Sequence, residues 1–150
     1  MSNKKIQIFY QSLEKINNLI EQYQNQMDSL KESMASNDIH TDYDQEGSGG
    51  QTLGDFERSA AHLDNARKMK QTLNQVDREH YSETIKFGSV VETDKNYYFI
   101  AVPLGKVHMD DGSAVQVIST DAPIFEKLKG KKKGDTFKLN DEEIEILNVQ

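Results

Sequence analysis

The chain of 150 residues is acidic and contains few apolar residues for its length. It has 25 Asp and Glu against 18 Lys and Arg, a formal net charge of −7, and 35% of its residues are hydrophobic. A negative net charge argues against binding to a nucleic-acid backbone as the main activity. The absence of Cys excludes disulfides, thiol catalysis and Cys-based metal sites.

Membrane and secretion signals are missing from the pattern of apolar residues. No apolar run approaches the roughly 20 residues of a membrane span, and no signal-peptide pattern opens the chain. We therefore expect a cytoplasmic protein that contacts no membrane. The length fits one or two small domains.

A coiled-coil pattern occupies the first part of the chain. Its apolar residues step alternately by three and four positions, which is the a/d seam of a heptad repeat. The seam consists of Ile6, Phe9, Leu13, Ile16, Ile20, Tyr23, Met27, Leu30 and Met34. A helix over about residues 3–36 would expose this stripe to water unless a partner covers it.

A second apolar stripe with helical spacing lies between Phe56 and Val76. Thr52 is its predicted N-cap, and the cluster Gly47-Ser48-Gly49-Gly50 is predicted to interrupt helical structure between the two stripes. An antiparallel hairpin within a monomer would pair the two stripes, and homodimerisation through the first helix is the alternative. We favour the hairpin, over residues 1–81, because both stripes then find a partner in the same chain.

Acidic residues are concentrated between the two helical patterns. Residues 32–57 contain seven Asp and Glu and no Lys or Arg. If the start of the first helix lies beside the end of the second, the tip of the hairpin falls at about residue 43. Asp42 and Asp44 then lie at the tip, with Glu46 beside them. A solvated loop is the simple explanation. Carboxylates without basic neighbours repel each other, however, which favours a functional role.

The pattern changes after residue 81. Runs rich in Val, Ile, Tyr and Phe predict strands over residues 87–93, 97–102, 114–119, 136–139 and 143–149. A short helix is predicted over residues 122–128, with Asp121 as its N-cap and Gly130 at its end. The predicted fold class is therefore α+β: an antiparallel coiled-coil hairpin, then a small antiparallel β-rich domain over residues 82–150.

One series of residues surrounds the predicted short helix of this domain. It is Ile118-Ser119-Thr120-Asp121-Ala122-Pro123-Ile124, Leu128, Gly130-Lys131 and Gly134-Asp135. The series resembles the C-terminal signature of the Gre transcript cleavage factors, whose pattern is I-S-x-x-S-P-I/L, followed by Leu, G-K and G-D. Ala122 stands in place of the usual Ser. We call these the signature residues. The family layout is a coiled-coil hairpin joined to an FKBP-like β-rich domain.

The resemblance also suggests a second pair of tip acids. Gly54-Asp55-Phe56-Glu57 partly matches the start of the family tip motif G-D-L-S-E-N-A-E-Y but is one residue shorter. It points to Asp55 and Glu57, whereas the pairing of the helix bases points to Asp42 and Asp44. Asp55 and Glu57 would also suit the first turn of a helix, where the macrodipole favours acids. Both alternatives stay open at this point.

The resemblance implies a factor that binds bacterial RNA polymerase through its C-terminal domain and inserts the hairpin into the secondary channel. There the tip acids would assist Mg²⁺-dependent cleavage of backtracked RNA, with the ion shared between Asp42, Asp44 and the polymerase in the complex only. Such a factor is no enzyme itself, because it stimulates the endonuclease activity of the polymerase. Asp121, Pro123 and Ile124 would contact the polymerase, and DNA or RNA would be met only within that complex.

Two other hypotheses remain from the sequence. A non-cleaving Gre homologue would modulate or inhibit the polymerase through the same channel. A coiled-coil interaction module would instead use its β-rich domain to bind something unrelated, such as a peptide. Five lysines around Gly130, at positions 127, 129, 131, 132 and 133, suit either an acidic partner or a solvated helix end.

Overall fold

The computed structural model of the protein describes residues 2–40 and 46–150, with side chains for residues 4–35 and 52–150. Two long helices come first, α1 (Ser2–His40) and α2 (Glu46–Leu73). The elements that follow are β1 (Val90–Thr93), β2 (Tyr97–Ile100), β3 (Gly105–His108), β4 (Ala114–Ile118), α3 (Phe125–Leu128), β5 (Thr136–Leu139) and β6 (Glu142–Val149).

The chain forms two compact units. One is Ile16–Lys68, and the other combines Met1–Lys15 with Met69–Gln150. The second unit thus holds the β-rich part together with one end of each long helix. The predicted domain boundary between residues 81 and 82 stays a prediction.

Within the unit Ile16–Lys68, α1 and α2 pair in antiparallel fashion. The Ser59 hydroxyl donates a 3.3 Å hydrogen bond to Gln26 Oε1, and the rings of Tyr23 and His62 stack with centroids 5.1 Å apart. A step of three residues forward in α1, from Tyr23 to Gln26, therefore matches a step of three backward in α2. The predicted hairpin within the chain is confirmed.

The predicted break at Gly47-Ser48-Gly49-Gly50 is wrong. The backbone of α2 is already helical at Glu46 and continues through the glycines, so Thr52 lies inside the helix and does not cap it. The first helix also continues to His40, beyond the predicted end at residue 36. Glycine disfavours a helix by only about 1 kcal/mol per residue relative to Ala. That preference is weak enough to be overridden in a helix of 28 residues with a paired partner.

The first turns of α1 bury more than the predicted seam. Ile8 and Ser12 are fully buried and Lys5 is 2% exposed, although none of the three belongs to the seam. Their spacing of three and four residues puts them on one side of the helix. Two of these positions are polar, so the apolar pattern did not reveal this second buried stripe.

The β-rich part forms one six-stranded sheet in the order β3-β4-β2-β1-β6-β5. Four neighbouring pairs are antiparallel, but β2 and β4 run parallel. The sheet is therefore mixed and has six strands, where the sequence predicted five antiparallel strands. The missed strand is β3, in which Val107 is the single buried residue. Because β3 and β4 form a hairpin, β4 lies beside β2 in the same direction.

The core of this sheet is apolar and includes the short helix α3. It consists of Ile85, Val91, Tyr98, Ile100, Phe125, Leu128, Phe137, Ile144 and Ile146. Burying a side chain such as Phe125 or Leu128 contributes about 1.5–3 kcal/mol. The predicted α+β class, with a helical hairpin followed by a β-rich part and one short helix, is confirmed. None of the helices in the described residues is long and apolar enough to cross a membrane.

The short helix begins later than the sequence predicted. Its N-cap is Ile124, without a side-chain cap, and Asp121 does not fill that role. The preceding residues form turns instead, since Ala122 N–H donates to the Ser119 carbonyl and Phe125 N–H to the Ala122 carbonyl. The Asp121 N–H donates to Ser119 Oγ at 3.2 Å, so the Ser at this position caps the turn.

Candidate functional site

The predicted tip acids lie at the connection between the two long helices. Asp42 and Asp44 are outside the described residues, after His40 and before Glu46. Glu46 is the first residue of α2, and its side chain is outside the described set. The assignment of these three acids to the functional tip therefore stays a prediction.

The alternative acids Asp55 and Glu57 lie inside α2. Asp55 is nine residues beyond the beginning of the helix at Glu46, about 13 Å along its axis at 1.5 Å per residue. The Arg58 guanidinium donates a hydrogen bond to Asp55 Oδ1 and forms an ion pair with it. Residues two apart on a helix do not face each other. Asp55 and Glu57 therefore do not converge on one cation.

Asp55 lies in an open groove on the helix pair. The groove has a volume of about 590 Å³, and its lining residues are Asn25, Gln26, Ser29, Leu30, Asp55, Arg58, Ser59 and His62. Sequence reasoning overlooked Arg58, although its position three residues after Asp55 predicts such an ion pair. An exposed pair of this kind contributes only about 0–1 kcal/mol to stability.

The loop between β4 and α3, which we call the signature loop, exposes two of its three predicted contact residues to solvent. Asp121 and Pro123 are exposed, whereas Ile124 is partly buried and packs against the core of the sheet. The loop is held by the hydrogen bonds to Ser119 described above. Ile124 thus anchors the loop from below, while Asp121 and Pro123 are accessible from outside.

The later signature residues act as framework. Leu128 is fully buried, and the backbone around Gly130 pairs with Ile85: Gly130 N–H donates to the Ile85 carbonyl at 3.0 Å, and Ile85 N–H to the Lys131 carbonyl at 2.8 Å. Gly134 has a φ of +93° and donates its N–H to the Ile146 carbonyl. Gly130 and Gly134 therefore lie where the backbone conformation or a close approach requires glycine.

Asp135 completes this framework after the five lysines around Gly130, which we call the lysine cluster. Its Oδ2 accepts the N–H of Lys132 at 2.9 Å, which closes the turn before β5. Lys127 donates from Nζ to the Lys138 carbonyl at 2.8 Å. Within the described residues, no ion pair involves a lysine of this cluster. Four of the five lysines are exposed, and Lys131 is partly buried.

The Asp110-Asp111-Gly112 turn holds the beginning of α1. Asp111 Oδ1 accepts the N–H and the hydroxyl of Ser113, and its Oδ2 accepts from Lys4 Nζ at 3.0 Å. These bonds, first those from Ser113 and then that from Lys4, hold the pKa of the Asp111 carboxyl well below its usual range. Lys4 also lies over the Tyr97 ring, 4.8 Å from its centroid. This acid is therefore structural.

No metal centre is formed by the part of the chain that the structure describes. Its His, Asp and Glu side chains include no group of three or more that could hold an ion.

Comparisons with known proteins find similar solved structures. No family model and no curated protein matches the chain. The transcription factor Gfh1 is 20% identical, with 94% of this chain and 92% of that chain covered and a TM-score of 0.35. GreA factor homolog 1 (Gfh1) of Thermus thermophilus is 15% identical, with 92% and 94% covered and a TM-score of 0.34. The chain is similar to a GreA homologue over most of its length. At these identities and TM-scores, its function has to be argued from its own residues.

Proposed function

We propose that this protein is a Gre-like factor that binds bacterial RNA polymerase. Its β-rich domain docks on the polymerase, and the helical hairpin enters the secondary channel, where its acids assist cleavage of backtracked RNA during elongation. The observation that carries this proposal is the antiparallel pairing of α1 and α2 through Gln26 with Ser59 and Tyr23 with His62. Because the two helices pair in antiparallel fashion, we infer that Asp42 and Asp44, which lie between them in the sequence, act at the tip of the hairpin.

The chemistry of these acids suits a shared magnesium site. Mg²⁺ prefers carboxylate oxygens and keeps several waters, and in a two-metal site it stabilises the attacking and leaving oxygens of phosphodiester hydrolysis. Asp42 and Asp44 supply two carboxylates, with Glu46 next to them. Two carboxylates alone bind Mg²⁺ weakly, so the site is completed only in the polymerase. The factor is accordingly no enzyme by itself, and it stimulates the intrinsic endonuclease activity of the polymerase.

Docking is assigned to the signature loop. Asp121 and Pro123 are exposed on a loop that hydrogen bonds hold in place, and Ile124 anchors it to the core. Such an arrangement offers a preorganised contact surface, which lowers the entropic cost of binding. The factor acts as a monomer in the cytoplasm, and meets DNA or RNA only inside the complex.

A cleavage assay on backtracked complexes of a bacterial RNA polymerase tests the proposal. The wild-type factor should shorten the RNA from its 3′ end in the presence of Mg²⁺. Asp42→Ala/Asp44→Ala should abolish this effect without weakening binding to the polymerase. Asp55→Ala/Glu57→Ala is the matched control, since it also removes two acids, and it should retain cleavage.

The partial tip motif, Gly54-Asp55-Phe56-Glu57, favours a second function, that of a non-cleaving homologue. Asp55 is paired with Arg58, and Glu57 points away from it, so this echo of the family motif does not offer two converging acids. A non-cleaving homologue would bind the polymerase through the same channel and alter initiation or nucleotide addition. Binding without shortened RNA, with a change in the rate of nucleotide addition, would select this alternative. Recovery of no polymerase subunit in a pull-down would reject both and leave an unrelated interaction module.

A further inference from the structure

A buried lysine at the beginning of α1 has no direct ionic partner. Lys5 is 2% exposed, donates from Nζ to the His80 carbonyl at 2.7 Å and lies 5.2 Å from the centroid of the Tyr81 ring. Across the described chain, no ion pair includes it. A buried ammonium is costly unless charge and hydrogen bonds compensate it. A further charged or hydrogen-bonding partner would therefore stabilise the buried ammonium.

Lys5 lines a small polar cavity. The cavity has a volume of about 150 Å³, and its lining residues include His80, Ser82, Lys86 and Ser89. The Ser82 hydroxyl accepts the N–H of Thr84 at 3.3 Å. A water molecule takes up about 30 Å³ of liquid. The space is therefore large enough for a small oxyanion but too small for a whole nucleotide.

The hydrogen-bonding groups of the walls suit an acceptor-rich ligand. Lys5 and Lys86 offer ammonium donors. Ser89 Oγ accepts the N–H of Lys86 at 3.0 Å, which leaves its hydroxyl hydrogen able to donate. Two cations and two hydroxyls around one small space are a donor set for phosphate oxygens.

One acid also lines the cavity and opposes an anion. Asp77 Oδ1 accepts the N–H groups of Glu79 and His80 at 3.0 and 3.2 Å, so this carboxylate is fixed by the backbone. Burial lowers the pKa of Lys5, Asp77 acts in the opposite direction, and Lys86 lowers it further. The three charges therefore interact across the cavity, and an anion there would relieve the repulsion between the two lysines.

We propose that this cavity, between Lys5 and Lys86, binds a phosphate group. The ammonium groups of both lysines and the hydroxyls of Ser82 and Ser89 would hold its oxygens, and Asp77 would limit the affinity. The site joins the first turns of α1 to the residues just before β1. It is independent of the polymerase role proposed above.

Binding is measured on the purified full-length chain by isothermal titration calorimetry, with sodium phosphate against sodium chloride at equal ionic strength. Lys86→Gln should weaken phosphate binding at least about tenfold, because it removes a charged hydrogen-bond donor from the site. Asp77→Asn should tighten it, since Asn keeps the backbone acceptor and removes the negative charge. Lys133→Gln, the same charge change at an exposed position of the lysine cluster, should have no effect.

The opposite signs expected for Lys86→Gln and Asp77→Asn decide the proposal even if Lys5→Met does not fold. Heats no larger for phosphate than for chloride would overturn it. Equal weakening by Lys86→Gln and Lys133→Gln would also overturn it, because the effect would then be general charge screening. Adenosine monophosphate is a second ligand in the same experiment: its exclusion assigns the site to free phosphate, and equal binding assigns it to a phosphate ester whose remainder stays outside the cavity.

Discussion

The buried leucine of the signature should respond to substitution as framework and not as a polymerase contact. Leu128 is fully buried on α3 in the same core cluster as Phe125 and Ile85. Leu128→Ala removes most of this side chain, and such substitutions cost about 2–5 kcal/mol. With about 3 kcal/mol lost and roughly 2–4 °C per kcal/mol for a chain of this size, Tm should fall by about 6–12 °C.

The contrasting variant is Pro123→Ala, five residues earlier in the same signature. Pro123 is exposed, and surface substitutions usually change the free energy of unfolding by no more than about 0.5 kcal/mol. Its Tm should therefore stay near that of the wild type, while its affinity for polymerase falls. Pro103→Ala is the matched control, since Pro103 is the other proline of the chain and is also exposed.

Calorimetry gives Tm, and fluorescence anisotropy with labelled factor gives the affinity for polymerase, measured well below the lowest Tm. The framework assignment predicts that Leu128→Ala lowers Tm but keeps affinity at the low temperature. A Leu128→Ala variant with unchanged Tm and lost affinity would refute it. Equal affinities for Pro123→Ala, Pro103→Ala and wild type would refute the contact role of the loop.

Three further predictions concern stability. The pKa of Asp111 is lower in the folded chain than its unfolded value of about 3.9, so the ionised carboxylate stabilises the fold above that pH. This stabilisation is lost as the pH falls below that value. Tm measured against pH should show this loss in wild type and not in Asp111→Asn. Gly134→Ala should destabilise by about 1–2 kcal/mol in urea unfolding, because φ is +93° there although the space around the new Cβ is open. Gly54→Ala should stabilise by about 0.5–1 kcal/mol, since Gly54 is helical and its added Cβ would lie 3.7 Å from Arg58 Nη1, an ordinary contact. A stabilised Gly134→Ala or a destabilised Gly54→Ala would show that the backbone at that glycine differs from the one described.

The long-range organisation of the fold was predictable from periodicity. A stripe that repeats every three and four residues has to be covered, and the second stripe in the same chain provides the cover. Gln26 opposite Ser59 is the outcome of that requirement. Periodicity could not reveal the second buried side of α1, because its members Lys5 and Ser12 are polar. Lys5 reaches its partner, the His80 carbonyl, only in the folded chain, and Ser12 donates to the Ile8 carbonyl of its own helix.

Short elements were predicted less well, since their residues obtain stability from contacts that are distant in sequence. β3 has one buried residue, Val107, and exists because it pairs with β4. The parallel direction of β2 and β4 follows from the same hairpin and leaves no trace in local composition. The sequence predicts helix where the structure has turns before α3, because a Pro near an acid is typical of a helix N-terminus.

The physical roles of the signature residues limit what the resemblance can say about function. Leu128, Gly130 and Gly134 are required by packing or by backbone conformation, so any chain with this β-rich fold has reason to contain them. Cleavage chemistry depends on carboxylates that converge on one ion. Asp55 forms an ion pair with Arg58, and Glu57, two residues further on, lies on another side of the helix. The choice between a cleaving and a non-cleaving factor therefore depends on Asp42 and Asp44, and removing those two acids is the substitution that separates the two functions.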